Sequence, residues 1–319
     1  MAVDISIVIV SYNVGEYLRN CLDSIIRHSG RLAIEIIVVD NHSEDGSVEM
    51  VRGEFPTVKL IANQGNYGFA TANNQGMRES EGKYVLLLNP DTLLGEDTLS
   101  VSRDYMERYP EVGCVGIKTY TASGSIFPNG SSFPASWKVM AKFLMVKQIL
   151  PNRWIREHFS RSLGRLFSYY ADRDVEREVD MVGGFFMFVR REVIDTVGLM
   201  DEDYFLEIED SDWCMRMKRA GWRIRYIPYA SFVHLIGKSI DRYRFSRSSF
   251  LNEFTNTMRF YRKFYTSADL MGLKVTILAG ILFQVFLTLV SIPIIGWGRN
   301  QAAEKMSAFS EMTKRVLSF

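Results

Sequence analysis

The stretch ISIVIVSYN, residues 5–13, passes from a continuous run of mostly β-branched apolar residues into a polar turn. Apolar residues then recur at helical spacing between Leu18 and Ile26. A short continuous apolar run predicts a strand buried on both faces, and the spacing that follows it predicts a helix. This unit of strand, loop and helix is the basis of the predicted fold.

Similar units follow along the chain as far as residue 91. Their apolar runs lie at 34–39, 58–61 and 84–88, and polar residues follow each run. Buried strands that alternate with helices predict an α/β fold with a mostly parallel central sheet, and ligands of such folds bind beyond the carboxyl ends of the strands. We therefore expect the polar residues at those ends to form a binding site.

Length, composition and charge narrow the range of functions. A chain of 319 residues can hold one large catalytic domain and an appendage. Its formal net charge of +1 gives no general attraction to nucleic acid, so we expect no nucleic-acid partner. The sequence also lacks the Gly-x-Gly-x-x-Gly turn of dinucleotide enzymes and the glycine-lysine loop of phosphate-binding ATPases, which disfavours a dehydrogenase or a kinase.

The cysteines and the N-terminus indicate a reducing compartment. Cys21, Cys114 and Cys214 are odd in number, far apart, and without the spacing of a zinc site. The first residues run straight into a strand pattern, without the basic region and cleavage site of a signal peptide. We expect the first domain to stay in the cytoplasm.

We predict three regions. A catalytic domain covers 1–240 and contains an amphipathic helical insertion at 137–170, a helical connector covers 241–270, and a hydrophobic membrane-associated region covers 271–319. The insertion is basic and aromatic, which fits either a helix in the headgroup layer of an anionic membrane or a solvated helical lid.

The C-terminal region predicts membrane attachment. Residues 273–297 are almost wholly apolar, and about 20 such residues suffice to cross a bilayer. Basic residues follow this segment, and a single crossing would place them outside, against the positive-inside tendency. A spanning helix, a re-entrant segment and an interfacial hairpin bent at Pro293 are the alternatives.

Asp91 follows the fourth strand, within Asn89-Pro90-Asp91. A carboxylate at the tip of a buried strand suits Mg²⁺ or Mn²⁺, which take one or two protein oxygens and complete their coordination with water and substrate phosphates. The alternative role for Asp91 is the N-cap of a helix that begins after it.

Glu209 and Asp210 belong to a second acidic cluster at 207–212, in the first turn of a predicted helix that Gly221 would end. A carboxylate near an acceptor hydroxyl can act as a general base, whereas acids in a first turn are also favoured by the helix dipole alone. His234 lies among apolar residues, as either a core histidine or a ligand.

Together these motifs resemble the family 2 glycosyltransferases, which have the Rossmann-like GT-A fold of nucleotide-diphospho-sugar transferases, and in particular their rhamnosyltransferase-like branch. The resemblance covers about residues 4–240. It rests on five ordered stretches, which are VIVSYN at 8–13, IVVDN at 37–41, NYGF at 66–69, NPD at 89–91 and EDSDWC at 209–214.

The resemblance implies a role for individual residues. The implied substrate-binding residues are Ser11, Tyr12, Asn13, Asp40, Asn41, Asn66, Gly68, Asn73, Asn89, Asp91 and Trp213. Asp91 and His234 would hold a divalent cation, Mg²⁺ or Mn²⁺. Asp210 would be the catalytic base, with Glu209 beside it. Two positions depart from the family pattern, because Asn89 replaces the first acid of the usual Asp-x-Asp and Leu235 stands where a second histidine often occurs.

The implied reaction is the inverting transfer of a sugar, with L-rhamnose from dTDP-rhamnose as the first choice, to a lipid-linked or cell-surface glycan at the cytoplasmic face of a membrane. A UDP-hexose donor is the nearest alternative. A non-catalytic sugar-nucleotide-binding scaffold is disfavoured by the joint presence of Asp91, Asp210 and His234. A nucleotide-binding regulator is disfavoured because the sequence shows no output module.

Overall fold

The computed structural model describes residues 3–127, 129–143, 173–235, 247–295 and 299–319. These residues form two compact units. The first unit contains the described parts of 1–133, 171–205 and 209–241, and the second contains the described parts of 134–170, 206–208 and 242–319.

Two predicted segments fall partly outside the described residues. The insertion at 137–170 is described only up to residue 143, and the connector at 241–270 only from residue 247. The predicted amphipathic helices after residue 143 therefore lie outside the described part of the chain, and the predicted region boundaries stay predictions.

Helices and strands alternate along the first unit. The strands β1 to β10 are, in chain order, Ile5–Ser11, Ile34–Asp40, Lys59–Ala62, Tyr84–Leu88, Thr92–Leu94, Val112–Thr121, Ile126–Phe127, Arg177–Glu178, Phe186–Arg190 and Arg223–His234. The helices α1 to α10 are Gly15–His28, Ser47–Glu54, Phe69–Arg78, Thr98–Arg108, Ser136–Phe143, Arg191–Val197, Glu209–Arg219, Arg247–Phe264, Ser267–Ile295 and Arg299–Ser318.

The strands form one sheet in the order β3-β2-β1-β4-β9-β6-β10-β5, with β7 beside β6 and β8 beside β10. Strands β3, β2, β1 and β4 are mutually parallel, as are β6 and β10, whereas β9 runs antiparallel to β4 and β6. The predicted α/β fold with a mostly parallel sheet is confirmed, and β1 to β4 lie within one residue of their predicted bounds.

Strand register brings the predicted polar segments to one edge of the sheet. Ser11 pairs with Asp40 across β1 and β2, and Ile9 pairs with Leu88 across β1 and β4. Strands β1 and β2 therefore end level with each other, and β4 ends at the same edge of the sheet, opposite Ile9.

The sheet is buried on both faces because β1 sends alternate side chains to opposite sides. Ile7 and Ile9 join the apolar cluster that contains the buried face of α1, while Val8 and Val10 join the cluster that contains α7. Full burial of an aliphatic side chain of this size stabilises a fold by roughly 1.5–3 kcal/mol. This double burial explains the continuous apolar run in the sequence.

In the second unit, α9 packs against α5, α8 and α10. Its side chains Leu273, Ile277 and Ile281 are buried. The opposite face of the same helix exposes the apolar side chains of Met271, Val275, Leu282 and Phe286. Among the described residues, Ser267–Leu287 is long and apolar enough to cross a membrane by length and composition.

Candidate active site

Asp91 and His234 meet where β5 and β10 pair. His234 is the last residue of β10 and lies opposite Thr92, and the backbone N of Leu235 donates to the carbonyl oxygen of Asp91 at 2.8 Å. This pairing brings His234 Nε2 to 3.0 Å from Asp91 Oδ1. Both side chains are buried, at 2% exposure for Asp91 and 6% for His234.

Contacts from Thr92 and Cys21 hold the Asn89-Pro90-Asp91 turn in place. Thr92 Oγ1 donates to the carbonyl oxygen of Asn89 at 2.7 Å, and Cys21 Sγ of α1 lies 3.8 Å from the same oxygen. Burial raises the pKa of Cys21 to about 12, so its thiol stays neutral. Because residues 92–94 form a strand and not a helix, the N-cap alternative for Asp91 is excluded.

A turn at Gly183–Phe186 lies next to this pair. The backbone N of Phe186 donates to the carbonyl oxygen of Gly183 at 3.3 Å, and the carbonyl oxygen of Phe185 accepts from the N of Asn89 at 3.1 Å. The Phe185 ring stacks on His234 with 4.9 Å between centroids. The turn therefore contacts both Asn89 and His234.

The same turn binds Asp210. The backbone N of Gly184 donates to Asp210 Oδ2 at 3.2 Å, and the N of Ser211 donates to Oδ1 at 2.6 Å. Burial raises the pKa of Asp210, and these hydrogen bonds oppose that rise without cancelling it. Glu209, beside it at the start of α7, is buried. Asp210 and the Asp91–His234 pair thus lie at the same end of the sheet, joined by one turn.

The Asp91–His234 pair fits a divalent cation that takes few protein ligands. Neighbouring ligands of an octahedral ion with bonds of about 2.1 Å are roughly 3 Å apart, as Asp91 Oδ1 and His234 Nε2 are at 3.0 Å. His234 Nδ1 is buried without a hydrogen-bond partner in the described part of the chain. The described residues contain no group of three or more His, Cys, Asp or Glu that could hold a metal ion.

The loop after β1 carries the buried hydroxyl of Ser11 and the exposed ring of Tyr12. Ser11 Oγ is buried, with no hydrogen-bond partner among the residues that the structure describes. Tyr12 is 50% exposed. Asn13 has a φ of 54°, donates through its backbone N to Ser43 Oγ at 2.9 Å, and accepts from the N of Glu44 at 2.8 Å. This loop can therefore offer a stacking surface held in place by the neighbouring loop.

Asp40 closes the neighbouring loop after β2. Its Oδ1 accepts from the backbone N of Ser43 at 2.8 Å, and its Oδ2 accepts from Ser43 Oγ at 2.6 Å. An ionised carboxylate has about four acceptor sites, so Asp40 retains capacity for a ligand donor.

Asn41 links the loop after β2 to the segment between β3 and α3. Its Nδ2 donates to Gly68 O at 3.1 Å and to Asn66 Oδ1 at 3.3 Å, while its Oδ1 accepts from Asn63 Nδ2 at 2.9 Å. Both amide hydrogens are used within the loops, whereas Oδ1 accepts one hydrogen bond and keeps capacity for a second, so the implied contact between Asn41 and the nucleoside stays a prediction. Asn66 is exposed, and Gly68, with a φ of 86°, could not carry a side chain because a Cβ would lie 2.5 Å from the carbonyl oxygen of Phe205.

Two implied substrate contacts are buried elsewhere. Trp213 is fully buried in the apolar core, and its indole N donates to Gly198 O at 2.8 Å, so we remove Trp213 from the candidate substrate contacts. Asn73 is buried and its amide donates to Phe69 O within its own helix at 2.9 Å, so its implied contact with the ribose or diphosphate stays a prediction. Sequence reasoning placed both on active-site elements, but the helical phase turns them inward.

Phe185 and Gly184 were not assigned roles from sequence. Their signal was local, since two glycines precede the apolar run of β9. Gly184 cannot carry a side chain without displacing Phe69, because a Cβ would lie 2.9 Å from that ring. The glycine pair therefore marks a close approach of backbone to the site.

Comparison with known proteins supports the same reading. The profile of glycosyl transferase family 2 matches residues 6–198. The N-acetylglucosaminyl-diphospho-decaprenol L-rhamnosyltransferase of Mycobacterium tuberculosis is 27% identical over 249 residues, which cover 74% of this chain and 77% of that protein. Rhamnosyltransferase WbbL of Escherichia coli is 26% identical over 236 residues, covering 72% of this chain and 82% of that protein.

A solved structure shares the fold. The mannosyltransferase PcManGT from Pyrobaculum calidifontis, in complex with GDP-Man and Mn²⁺, superposes with a TM-score of 0.57 at 16% identity, covering 99% of this chain and 85% of that chain. At this identity the likeness concerns the fold alone, and it confirms the predicted GT-A fold. The family profile spans more than half of the chain, including β1 to β4 and the turn at Asp91. The protein therefore belongs to glycosyl transferase family 2, is similar to rhamnosyltransferases within it, and is a glycosyltransferase, as the sequence motifs predicted.

Proposed function

We propose that this enzyme transfers a sugar, with inversion at the anomeric carbon, from a nucleoside diphosphate to a hydroxyl of a lipid-linked or other glycan acceptor. One observation carries the proposal. The turn at Gly183–Phe186 contacts Asp210 through Gly184 and contacts His234 through Phe185. A proton acceptor and a pair suited to a cation are thereby held at one end of the sheet.

Asp210 is the general base of the proposed reaction. It takes the proton of the acceptor hydroxyl as the oxygen bonds to the anomeric carbon and the bond to the diphosphate breaks. General-base catalysis by a positioned side chain typically contributes about 10²–10⁴-fold. The raised pKa of Asp210 suits this role, because a base is most effective when its pKa approaches the working pH.

Asp91 and His234 would hold a divalent cation, and the Mn²⁺ in the PcManGT complex supports this proposal. When bound there, such an ion would stabilise the charge that develops on the departing diphosphate by several kcal/mol. Asn89, which lies in the same turn, contributes an amide where the usual pattern has an acid. It reduces the negative charge of the site by one, so we expect modest metal affinity.

The nucleoside lies against the loops after β1 and β2. Tyr12 offers an exposed ring for stacking on the base, and aromatic stacking of this kind contributes about 0.5–1.5 kcal/mol beyond area burial. Ser11 and Asp40 offer a hydroxyl and a carboxylate for hydrogen bonds to the base or ribose. Asn66, exposed before α3, lies on the ribose or diphosphate side.

The first-choice donor is dTDP-rhamnose, because two rhamnosyltransferases are 27% and 26% identical to this chain over 74% and 72% of its length. The Mycobacterium tuberculosis relative, by its name, uses a decaprenol-linked acceptor, which supports a lipid-linked acceptor here. The exposed apolar face of α9 gives the protein a surface for the membrane that would carry such a lipid. Three free, buried cysteines fit a cytoplasmic placement on that membrane.

A donor panel tests the proposal. Membranes containing the protein are incubated with labelled dTDP-rhamnose, UDP-glucose, UDP-galactose and UDP-N-acetylglucosamine, with and without Mn²⁺. We expect label from dTDP-rhamnose in the lipid extract only when Mn²⁺ is present. Label from a UDP-hexose would identify that nucleotide sugar as the donor and would leave the proposed mechanism unchanged. Binding of nucleotide without transfer or hydrolysis of any donor would favour the non-catalytic scaffold.

A further inference from the structure

Asn129 forms hydrogen bonds with both ends of the Gly183–Phe186 turn. Its Nδ2 donates to the carbonyl oxygen of Phe186 at 2.9 Å, and its Oδ1 accepts from the backbone N of Gly183 at 3.0 Å. The side chain is only 1% exposed. One amide therefore fixes both ends of the turn, which is also closed by the bond between Phe186 N and Gly183 O.

The two central residues of the turn make the contacts with the site. Gly184 donates its N–H to Asp210, whereas Phe185 accepts from the N of Asn89 and stacks on His234. A shift of the turn would therefore move the partner of the base and the partner of the histidine together. The turn has no other side-chain amide bonded to both of its ends in the described part of the chain.

We propose that Asn129 is a positioning residue that sets the placement of Asp210 relative to the Asp91–His234 pair by clamping the turn between them. The inference rests on the proposed function, since it takes Asp210 as the base. Asn129 acts through Gly184 and Phe185. A misplacement of about 1 Å can cost on the order of 10²-fold in rate, so loss of the clamp affects turnover more than donor binding.

Asn74 provides a matched control. It is 1% exposed, its Nδ2 donates to Met200 O at 2.9 Å, and its Oδ1 accepts from Met200 N at 3.0 Å. Asn74→Ala therefore removes the same kind of side-chain to backbone pair from a different segment, together with the bond that Asn74 Nδ2 donates to Glu202 Oε1 at 2.8 Å. Asn129→Asp keeps the size of the side chain and the acceptor for Gly183, and provides a variant with a smaller packing change.

The experiment compares Asn129→Ala, Asn129→Asp and Asn74→Ala with the unmodified chain. The measurements are kcat, donor KM, the pH dependence of kcat and the melting temperature. We expect Asn129→Ala to lower kcat by roughly 10–100-fold while donor KM changes by less than about threefold. Its acid limb should move to higher pH, because the Gly184 N–H favours the ionised form of Asp210. The kcat of Asn129→Asp should lie between those of Asn129→Ala and the unmodified chain. Asn74→Ala should lower the melting temperature without moving the acid limb of the pH dependence of kcat.

Hydrogen exchange supplies a readout that needs no turnover. Amides of the 183–186 peptide should exchange faster in both Asn129 variants than in Asn74→Ala. Wild-type exchange in that peptide, or an unmoved acid limb and wild-type kcat in the folded Asn129 variants, would overturn the proposal. Lack of transfer by the unmodified chain, or full turnover by Asp210→Asn, would instead count against the proposed function. Neither of those two results affects the hydrogen-exchange test of the Asn129 clamp, because that test needs no turnover.

Discussion

Asp210 is acted on in opposite directions by its surroundings. Burial disfavours its ionised form, while the N–H groups of Gly184 and Ser211 favour that form, and the net effect raises its pKa above the ordinary aspartate value. A general base must be ionised to act. The acid limb of kcat should therefore lie above pH ~4, where an unperturbed aspartate titrates. Measurement of kcat from pH 4 to 9 at saturating donor checks this, and a flat profile down to pH 4 would contradict it.

The same shift has a consequence for stability. A carboxyl whose folded pKa is raised contributes stability below its unfolded pKa, and that contribution is lost as pH rises through the folded pKa. Ionisation of Asp210 therefore makes the fold less stable. Asp210→Asn should melt at a temperature no lower than the unmodified chain at pH 7, with the difference shrinking toward pH 4. Thermal melts at both pH values check this, and a strongly destabilised variant at pH 7 would contradict it.

The three cysteines should be inert in the folded protein. All are fully buried, and burial raises the pKa of each, that of Cys21 to about 12. Because the thiolate is the reactive form, iodoacetamide at pH 8 should leave the native chain unmodified and label all three thiols after denaturation. Intact-mass analysis counts the adducts. Alkylation of the native chain at Cys21, with loss of activity, would show that the packing behind Asn89 is wrong.

At the scale of elements, the turn at Gly183–Phe186 needs a glycine at its centre. A Cβ at position 184 would lie 2.9 Å from the ring of Phe69, so either the ring or the turn must move. Gly184→Ala should lower kcat by about 10-fold or more through the altered contact with Asp210. Kinetic assay of the purified variant measures this.

Gly53 offers the control for that substitution. It lies in helix α2, where a Cβ meets nothing within 4 Å. Gly53→Ala should leave kcat unchanged and stabilise the chain by about 0.5–1 kcal/mol. Equal kcat in both alanine variants would remove the turn from the account of catalysis.

The strands differ in how far the sequence predicted them. Strands β1 and β4 are buried on both faces, so their apolar runs are continuous and their ends are plain in the sequence. Strand β10 is less plain, because Pro228 lacks the N–H that a strand interior needs, and the sequence pattern therefore favours an end at Ile227. The structure instead continues to His234 through a register shift between Ile227 and Ser231, which accommodates the proline.

The site was predictable where a motif stands at a strand end, and less so where a contact joins distant segments. Asp40 ends β2, Asp91 lies between β4 and β5, and Asp210 is the second residue of α7, so each was recognisable at or beside the end of an element. The clamp by Asn129 was not, since it lies 54 residues from Gly183 and an isolated asparagine reads as an ordinary turn residue. The resemblance implied Trp213 as a substrate contact, whereas the helical spacing with Met217 indicates an inward face, and the structure buries its side chain in the core.

At the scale of the whole chain, the exposed face of α9 should decide membrane attachment. Leu282 and Phe286 are exposed on that face, while Ile277 is buried on the other. Glutamate on the exposed face of α9 opposes insertion of that face into lipid. The double variant Leu282→Glu, Phe286→Glu should therefore be released from vesicles of phosphatidylglycerol and phosphatidylcholine.

Flotation of the protein with those vesicles measures the attachment. Thr276→Glu, in the same helix but outside the exposed apolar face, serves as the control and should stay bound. Undiminished binding of the double variant would assign attachment to another part of the chain.

The central claim, that Asp91 serves the metal-linked donor while Asp210 takes the acceptor proton, is tested most directly by separating donor binding from turnover in two variants. Calorimetric titration of the purified protein with nucleoside diphosphate, with and without Mn²⁺, is combined with turnover of the donor found in the panel. Asp210→Asn should keep Mn²⁺-dependent nucleotide binding and lose about 10²-fold or more of kcat, whereas Asp91→Ala should lose the Mn²⁺-dependent part of binding. Wild-type turnover in Asp210→Asn, or unchanged Mn²⁺-dependent binding in Asp91→Ala, would contradict the account.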